Sequence, residues 1–268
     1  MIAIVERAKK FKNRIALRSD GSIFAYQQLL DRSEVIAKNL LKGKNDLNEA
    51  RVAFIVTPGF EYTAIQWGIW RAGGIAVPLC IKHPLSSIEY VIKDTSAKAI
   101  VFSSEYYDLI SPLQSDNALS FIPIEDIAPV DSHELPVIDR ERRAMILYTS
   151  GTTGSPKGVV TTHSNIESQI KSLITSWEWH EDDHILNTLP MHHVHGIINI
   201  MSCALWSGAC CEFLPKFSES KVFEAFCRGE INIYMAVPTI YYKLIAHWNR
   251  MPAEQQGKVT KALSKFRY

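Results

Sequence analysis

Residues 144–162 read AMILYTSGTTGSPKGVVTT. An apolar run of β type, 144–147, leads into glycine, serine and threonine, and a second β-rich run leaves at 158–162. Gly151, Gly154 and Gly158 allow the backbone to bend sharply and approach a ligand closely. Thr149, Ser150, Thr152 and Thr153 set hydroxyl groups beside exposed backbone N–H groups, a concave arrangement suited to phosphate oxygens. Lys157 adds a mobile cation that can follow charge developing on a phosphoryl group. A solvated hairpin turn has a similar composition, but eleven consecutive positions, 148–158, favour the phosphate cradle. The spacing is not that of a Walker loop, which needs Gly, four residues, Gly-Lys-Ser/Thr and then a helix. Here Pro156 precedes the lysine and strand residues follow it.

Outward from this hairpin the chain alternates short β-branched runs with longer amphipathic stretches. Strands are expected at 52–56, 75–79, 99–102, 144–148, 159–162, 184–187, 209–213 and 231–235. Helices are expected at 26–42, 60–71, 85–94, 165–177, 197–206 and 218–227, the first ending at Gly43 in a left-handed cap. Strand, helix, strand with short connections predicts an α/β fold of layered, parallel-rich sheets with flanking helices. Residues 111–143, richer in Pro, Asp and Ser, read as a surface connection carrying one short strand at 121–124. With no repeat, low-complexity tract or flexible linker, residues 1–268 read as one domain.

The bulk properties exclude several classes of partner. Hydrophobic residues make up 47% and charged residues 21%, which supports an ordinary globular core. Lys and Arg number 29 against 28 Asp and Glu, so nothing favours a polyanion, and no nucleic-acid partner is expected. The five cysteines are odd in number and irregularly spaced, which reads as reduced thiols in the cytoplasm. Glu6, Arg7, Lys9 and Lys10 interrupt the N-terminal apolar stretch, so neither a signal peptide nor a membrane partner is expected.

YTSGTTGSPKG at 148–158 resembles the signature loop of the AMP-binding superfamily of acyl-CoA synthetases, luciferases and peptide-synthetase adenylation domains. The resemblance covers nearly the whole chain. WRAGGIAVPLCIKHP at 70–84 looks like the family's second core motif, and LPMHHVHG at 189–196 takes the place of its fourth. That wording, with AVPTIY at 236–241, is most similar to malonyl-CoA synthetases.

The resemblance implies an acid–thiol ligase working in two steps through an acyl-adenylate. Its reactants are ATP carrying Mg²⁺, a small carboxylic acid such as malonate or methylmalonate, and coenzyme A. Thr149, Ser150, Gly151, Thr152, Thr153, Gly154 and Lys157 match the phosphate-gripping loop, with Lys157 in a catalytic role. His193 matches the position beside the acyl carboxylate and the α-phosphate, as donor or gate. Val237, Pro238 and Thr239 match the start of the helix that lines the acyl pocket, and they also read as ordinary helix-start residues. A distal carboxylate needs a cation, for which Lys216 and Arg267 are candidates, although both read more readily as surface charges. Trp177, Trp179 and Trp206 read as packing residues.

His192, His193 and His195 invite a zinc reading, with Cys203, Cys210 and Cys211 nearby in sequence. The spacing matches no zinc-ligand template, so no protein metal site is assigned. By the same resemblance, the adenine, ribose, hinge and C-terminal lysine segments would follow residue 268, and KALSKFRY at 261–268 reads as the start of a strand. Two readings follow: the N-terminal part of a ligase, joined or complemented by a C-terminal portion, or a non-catalytic remnant that at most binds nucleotide. A kinase-type module is disfavoured because its motif set is missing.

Overall fold

The computed structural model describes residues 1–115, 118–130, 134–149, 156–214 and 216–267. Eleven described strands form two sheets: β1 (Ile15–Ser19), β2 (Ser22–Ala25), β3 (Arg51–Ile55), β4 (Ile75–Pro78), β5 (Ala99–Phe102), β6 (Ser120–Pro123), β7 (Arg143–Thr149), β8 (Lys157–Thr162), β9 (His184–Asn187), β10 (Cys210–Phe213) and β11 (Ile233–Tyr234). The first sheet runs β11-β9-β10-β1-β2 and the second β6-β5-β3-β4-β7-β8. Each is parallel except for one hairpin, β1–β2 in the first and β7–β8 in the second. The helices are α1 (Ala3–Ala8), α2 (Tyr26–Leu41), α3 (Phe60–Arg71), α4 (Leu85–Thr95), α5 (Tyr107–Ile110), α6 (His163–Ser176), α7 (Cys203–Ser207), α8 (Glu219–Cys227), α9 (Pro238–Trp248) and α10 (Ala253–Leu263).

Side-chain alternation sorts the strands into layers. In β3, Val52 and Phe54 join the large central core, while Ala53 and Ile55 face a second cluster against Ile88, Val91 and Ile92 of α4. In the first sheet, Ile185 and Ile233 face the central core, while Leu186 and Tyr234 face Val222, Phe226, Leu244 and Val259. Helices α2 and α3 therefore fill the space between the sheets, α4 covers one outer face, and α8, α9 and α10 cover the other. Trp67 and Trp70 of α3 are fully buried at the centre. Burying side chains of this size contributes roughly 1.5–3 kcal/mol each.

The expected α/β architecture holds, and most expected elements stand within two residues of their predicted ends. The differences have local causes. The left-handed turn expected at Gly43 is present with φ 82° and begins one residue earlier, at Lys42 with φ 46°. The stretch expected as one helix at 197–206 is instead a π-helix, His195–Ser202, followed by α7. The Ser202 hydroxyl donates to the carbonyl of Ile197, five residues back, at 2.7 Å. Residues 261–263 close α10 rather than opening a strand. The start of pairing appears later, where the Arg267 N–H donates to the Asn232 carbonyl at 2.8 Å. Helices α1 and α10 and the β1–β2 hairpin lie outside the elements expected from the sequence.

Candidate active site

The carboxyl ends of β4, β7 and β9 supply the pieces of the site. In open α/β sheets ligands bind beyond those ends. β7 is fixed at its base: the Trp70 indole N–H donates to the Ala144 carbonyl at 2.7 Å. Arg142 holds Asp46 and the Gly73 carbonyl, each at 2.6 Å. β7 leaves the sheet at Thr149, which pairs with Lys157 across the hairpin. Ser150, Gly151, Thr152, Thr153 and Gly154, predicted to grip phosphate, lie outside the described residues. Thr149 and Lys157 are described, and both are exposed. Lys157 makes no ion pair with a described residue, which leaves its amino group available to an anion.

Two tyrosines fasten the base of this loop. Tyr90 donates to the Pro156 carbonyl at 3.0 Å. Tyr148 donates to Asp94, and burial together with this carboxylate pushes its phenol well above the ordinary range. Gly158 turns out to serve a different purpose from the bend expected of it. It is a strand residue paired with Tyr148, and a Cβ there would stand 3.2 Å from the Tyr148 ring and 3.0 Å from Ile146. The missing side chain makes room for the tyrosine.

The segment 188–196 follows β9 and is held by Asn187, which is buried at 2% exposure. Its amide donates to the Gly196 carbonyl at 3.1 Å and its oxygen accepts from the Leu189 N–H at 3.0 Å. Tyr62 of α3 donates to the Met191 carbonyl at 2.7 Å. A Cβ on Gly196 would come within 3.0 Å of the Pro190 carbonyl, so the tight return requires glycine. Sequence reasoning missed Asn187 and Tyr62. Asn187 had a faint signal, an amide ending an apolar strand directly before the motif, whereas Tyr62 had none.

These supports bring His192 into a cavity of about 220 Å³ that Tyr148, Pro156, Tyr90, Cys80 and His83 also line. The phosphate-loop base and the second and fourth motifs thus meet. His193 lies against His192 with ring centroids 4.0 Å apart and the planes tilted by 48°, and its own ring is exposed toward solvent. Burial, reinforced by His193, His83 and Lys82, lowers the His192 pKa to about 4. Burial and then His83 lower that of His193. Both imidazoles are therefore neutral at pH 7 and act as hydrogen-bonding groups rather than charges.

Val237, Pro238 and Thr239 are exposed at the start of α9 and are not among the described residues lining this cavity. Further along α9, Tyr241 donates to the Tyr234 carbonyl at 3.2 Å, and the Tyr234 and Thr188 hydroxyls are 3.0 Å apart. Arg267 binds the Glu178 carbonyl at 2.6 Å and Asp183 at 3.2 Å, and Lys216 lines a separate cavity with Arg18 and Arg228. Cys203, Cys210 and Cys211 do not converge on the histidines. Burial pushes the first two thiols up to about 12 and the third well above the ordinary range, as expected of packing cysteines.

The chain matches the family described as AMP-binding enzyme over residues 4–268. It is 40% identical over 261 residues to the human protein named malonate–CoA ligase ACSF3, mitochondrial, covering 92% of this chain and 45% of that protein. Against the malonate–CoA ligase of Arabidopsis thaliana it is 31% identical over 301 residues, covering 99% and 50%. The crystal structure of ATP-bound MatB from Rhodopseudomonas palustris is similar in fold, with a TM-score of 0.82 at 26% identity over 96% of this chain and 53% of that one. The chain spans about half the length of the curated relatives it matches.

Proposed function

The chain belongs to the AMP-binding enzyme family, and from that premise we propose that it forms the phosphate-gripping and carboxylate-facing part of an ATP-dependent acid–thiol ligase for malonate or a close analogue. The observation that carries this reading is the meeting of Tyr148, Pro156 and His192 around one cavity. A nucleotide phosphate chain held by the β7–β8 hairpin would present its α-phosphate toward the histidine pair. Relatives named malonate–CoA ligases, at 31–40% identity, support the choice of acid.

In this reading the carboxylate oxygen attacks the α-phosphorus, forming the acyl-adenylate and releasing pyrophosphate. The coenzyme A thiol, losing its proton, then attacks the acyl carbonyl and releases AMP. Lys157 follows the charge that leaves on pyrophosphate. The neutral His193 donates to the acyl carboxylate and holds it in line. Mg²⁺ carried by ATP would neutralise charge on the phosphates, and no described residue is assigned to hold it.

Isotope exchange between pyrophosphate and ATP tests the first step directly. Protein carrying this chain together with its C-terminal portion is expected to catalyse exchange that depends on malonate and falls by tenfold or more with acetate. Exchange that is indifferent to malonate overturns the choice of acid. If folded protein of that length shows no exchange with any short acid, the ligase reading falls and the nucleotide-binding remnant stands.

A further inference from the structure

Cys80 and His83 lie on the turn after β4, and His192 lies on the segment after β9, so the two pieces come from different sheets. The Cys80 sulfur and one nitrogen of each imidazole all lie within 4.8 Å of one another. Cys80 is buried, His192 half-buried and His83 exposed, which leaves the group reachable from solvent through the His83 side. None of these side chains is taken by a hydrogen bond to a described residue. The His83 and His192 rings are 5.6 Å apart at their centroids and tilted by 55°, so they converge rather than stack.

We propose that Cys80, His83 and His192 form a site for a thiophilic divalent cation of the zinc type, with a fourth position open to water. Thiolate and imidazole are the donors such a cation prefers. Zinc holds sulfur at about 2.3 Å and nitrogen at about 2.0–2.1 Å, so in a tetrahedral site its ligand atoms stand about 3.4–3.6 Å apart. From a group within 4.8 Å, side-chain rotation that moves the donors together by about an ångström reaches that spacing. On binding, the Cys80 thiol releases its proton to solvent and the sulfur–metal bond forms in its place. The cation would staple the turn after β4 to the segment after β9, fixing one wall of the cavity across the two sheets. The sequence reading missed this site because it joined His192 to cysteines nearby in sequence, whereas its partners lie more than a hundred residues upstream.

Cobalt(II) is the probe, since a thiolate ligand gives it a near-ultraviolet charge-transfer band. Titration of the 268-residue chain is expected to saturate at one Co²⁺ per chain, with the band displaced by Zn²⁺. Cys80→Ser should abolish the band, whereas Cys227→Ser, which removes the exposed thiol, should leave it unchanged. His83→Gln, at an exposed position that leaves folding intact, should weaken binding by more than the about 10- to 100-fold that loss of an outer-sphere partner costs. The proposal is overturned if the folded chain gives no thiolate band, if the band survives Cys80→Ser, or if His83→Gln binds as tightly as the unmodified chain. The readout is the metal itself and is independent of the ligase reading.

Discussion

His163 shows how one buried residue shapes the response to acid. It opens α6 at 8% exposure, its ring edge-on to Trp70 at 5.6 Å. Burial, then Arg142 and the N-terminal ammonium, lowers its pKa to about 4 from an ordinary 6.5. Above pH 6.5 the imidazole is neutral in both the folded and unfolded chain and contributes nothing to pH dependence. As the pH falls from about 6.5 to 4, the unfolded chain takes up a proton that the folded chain refuses, and stability is lost. The full loss is about 3 kcal/mol, from about 1.36 kcal/mol per pKa unit. Urea midpoints measured at pH 7 and pH 4.5 should therefore fall further for the unmodified protein than for His163→Gln. Parallel declines would contradict the assignment. Nothing in the sequence marks this histidine as buried; the structure starts α6 with a capping box of Thr162 and Asn165, each bonding the other's backbone N–H at 3.0–3.1 Å, two residues before the expected start at 165.

At the scale of elements, apolar runs and amphipathic stretches located most strands and helices because these elements bury apolar side chains. The hairpin of β7 and β8 was legible from β-rich runs around glycines, whereas β1 and β2, with Ile15 and Ile23 exposed, gave no such contrast. The π-helix was not legible from the period; its first turn is tied at Gly196 to Asn187, and Ser202 bonds back to Ile197. Asn187→Ala leaves the Leu189 N–H and the Gly196 carbonyl without that partner, at a cost of about 1–3 kcal/mol for each buried group left unsatisfied. Urea unfolding should show a loss of that order, and hydrogen exchange at Leu189 should accelerate while β3 amides hold. If the segment is supported independently of Asn187, neither quantity will move.

The whole molecule is two parallel-rich sheets whose carboxyl ends face one region, and that convergence is what the sequence could not display. The phosphate loop was legible by its chemistry, and the family by three motifs, but their meeting depends on contacts over long sequence distances. Tyr62 reaching Met191 and Tyr90 reaching Pro156 are two of these contacts. The residues expected at the acyl pocket, Val237 to Thr239, stand apart from the cavity formed by described residues. His192 and the loop base meet around it, and His193 lies beside His192 outside its lining. Calorimetric titration of the folded chain with Mg·ATP, compared between the unmodified protein and Lys157→Ala, tests the central claim most directly. A charged phosphate contact contributes about 1.5–3 kcal/mol, so the variant should bind about tenfold to a hundredfold more weakly with its fold unchanged. Equal affinity in the two proteins, or no binding by the folded chain, would contradict a phosphate grip in the β7–β8 hairpin.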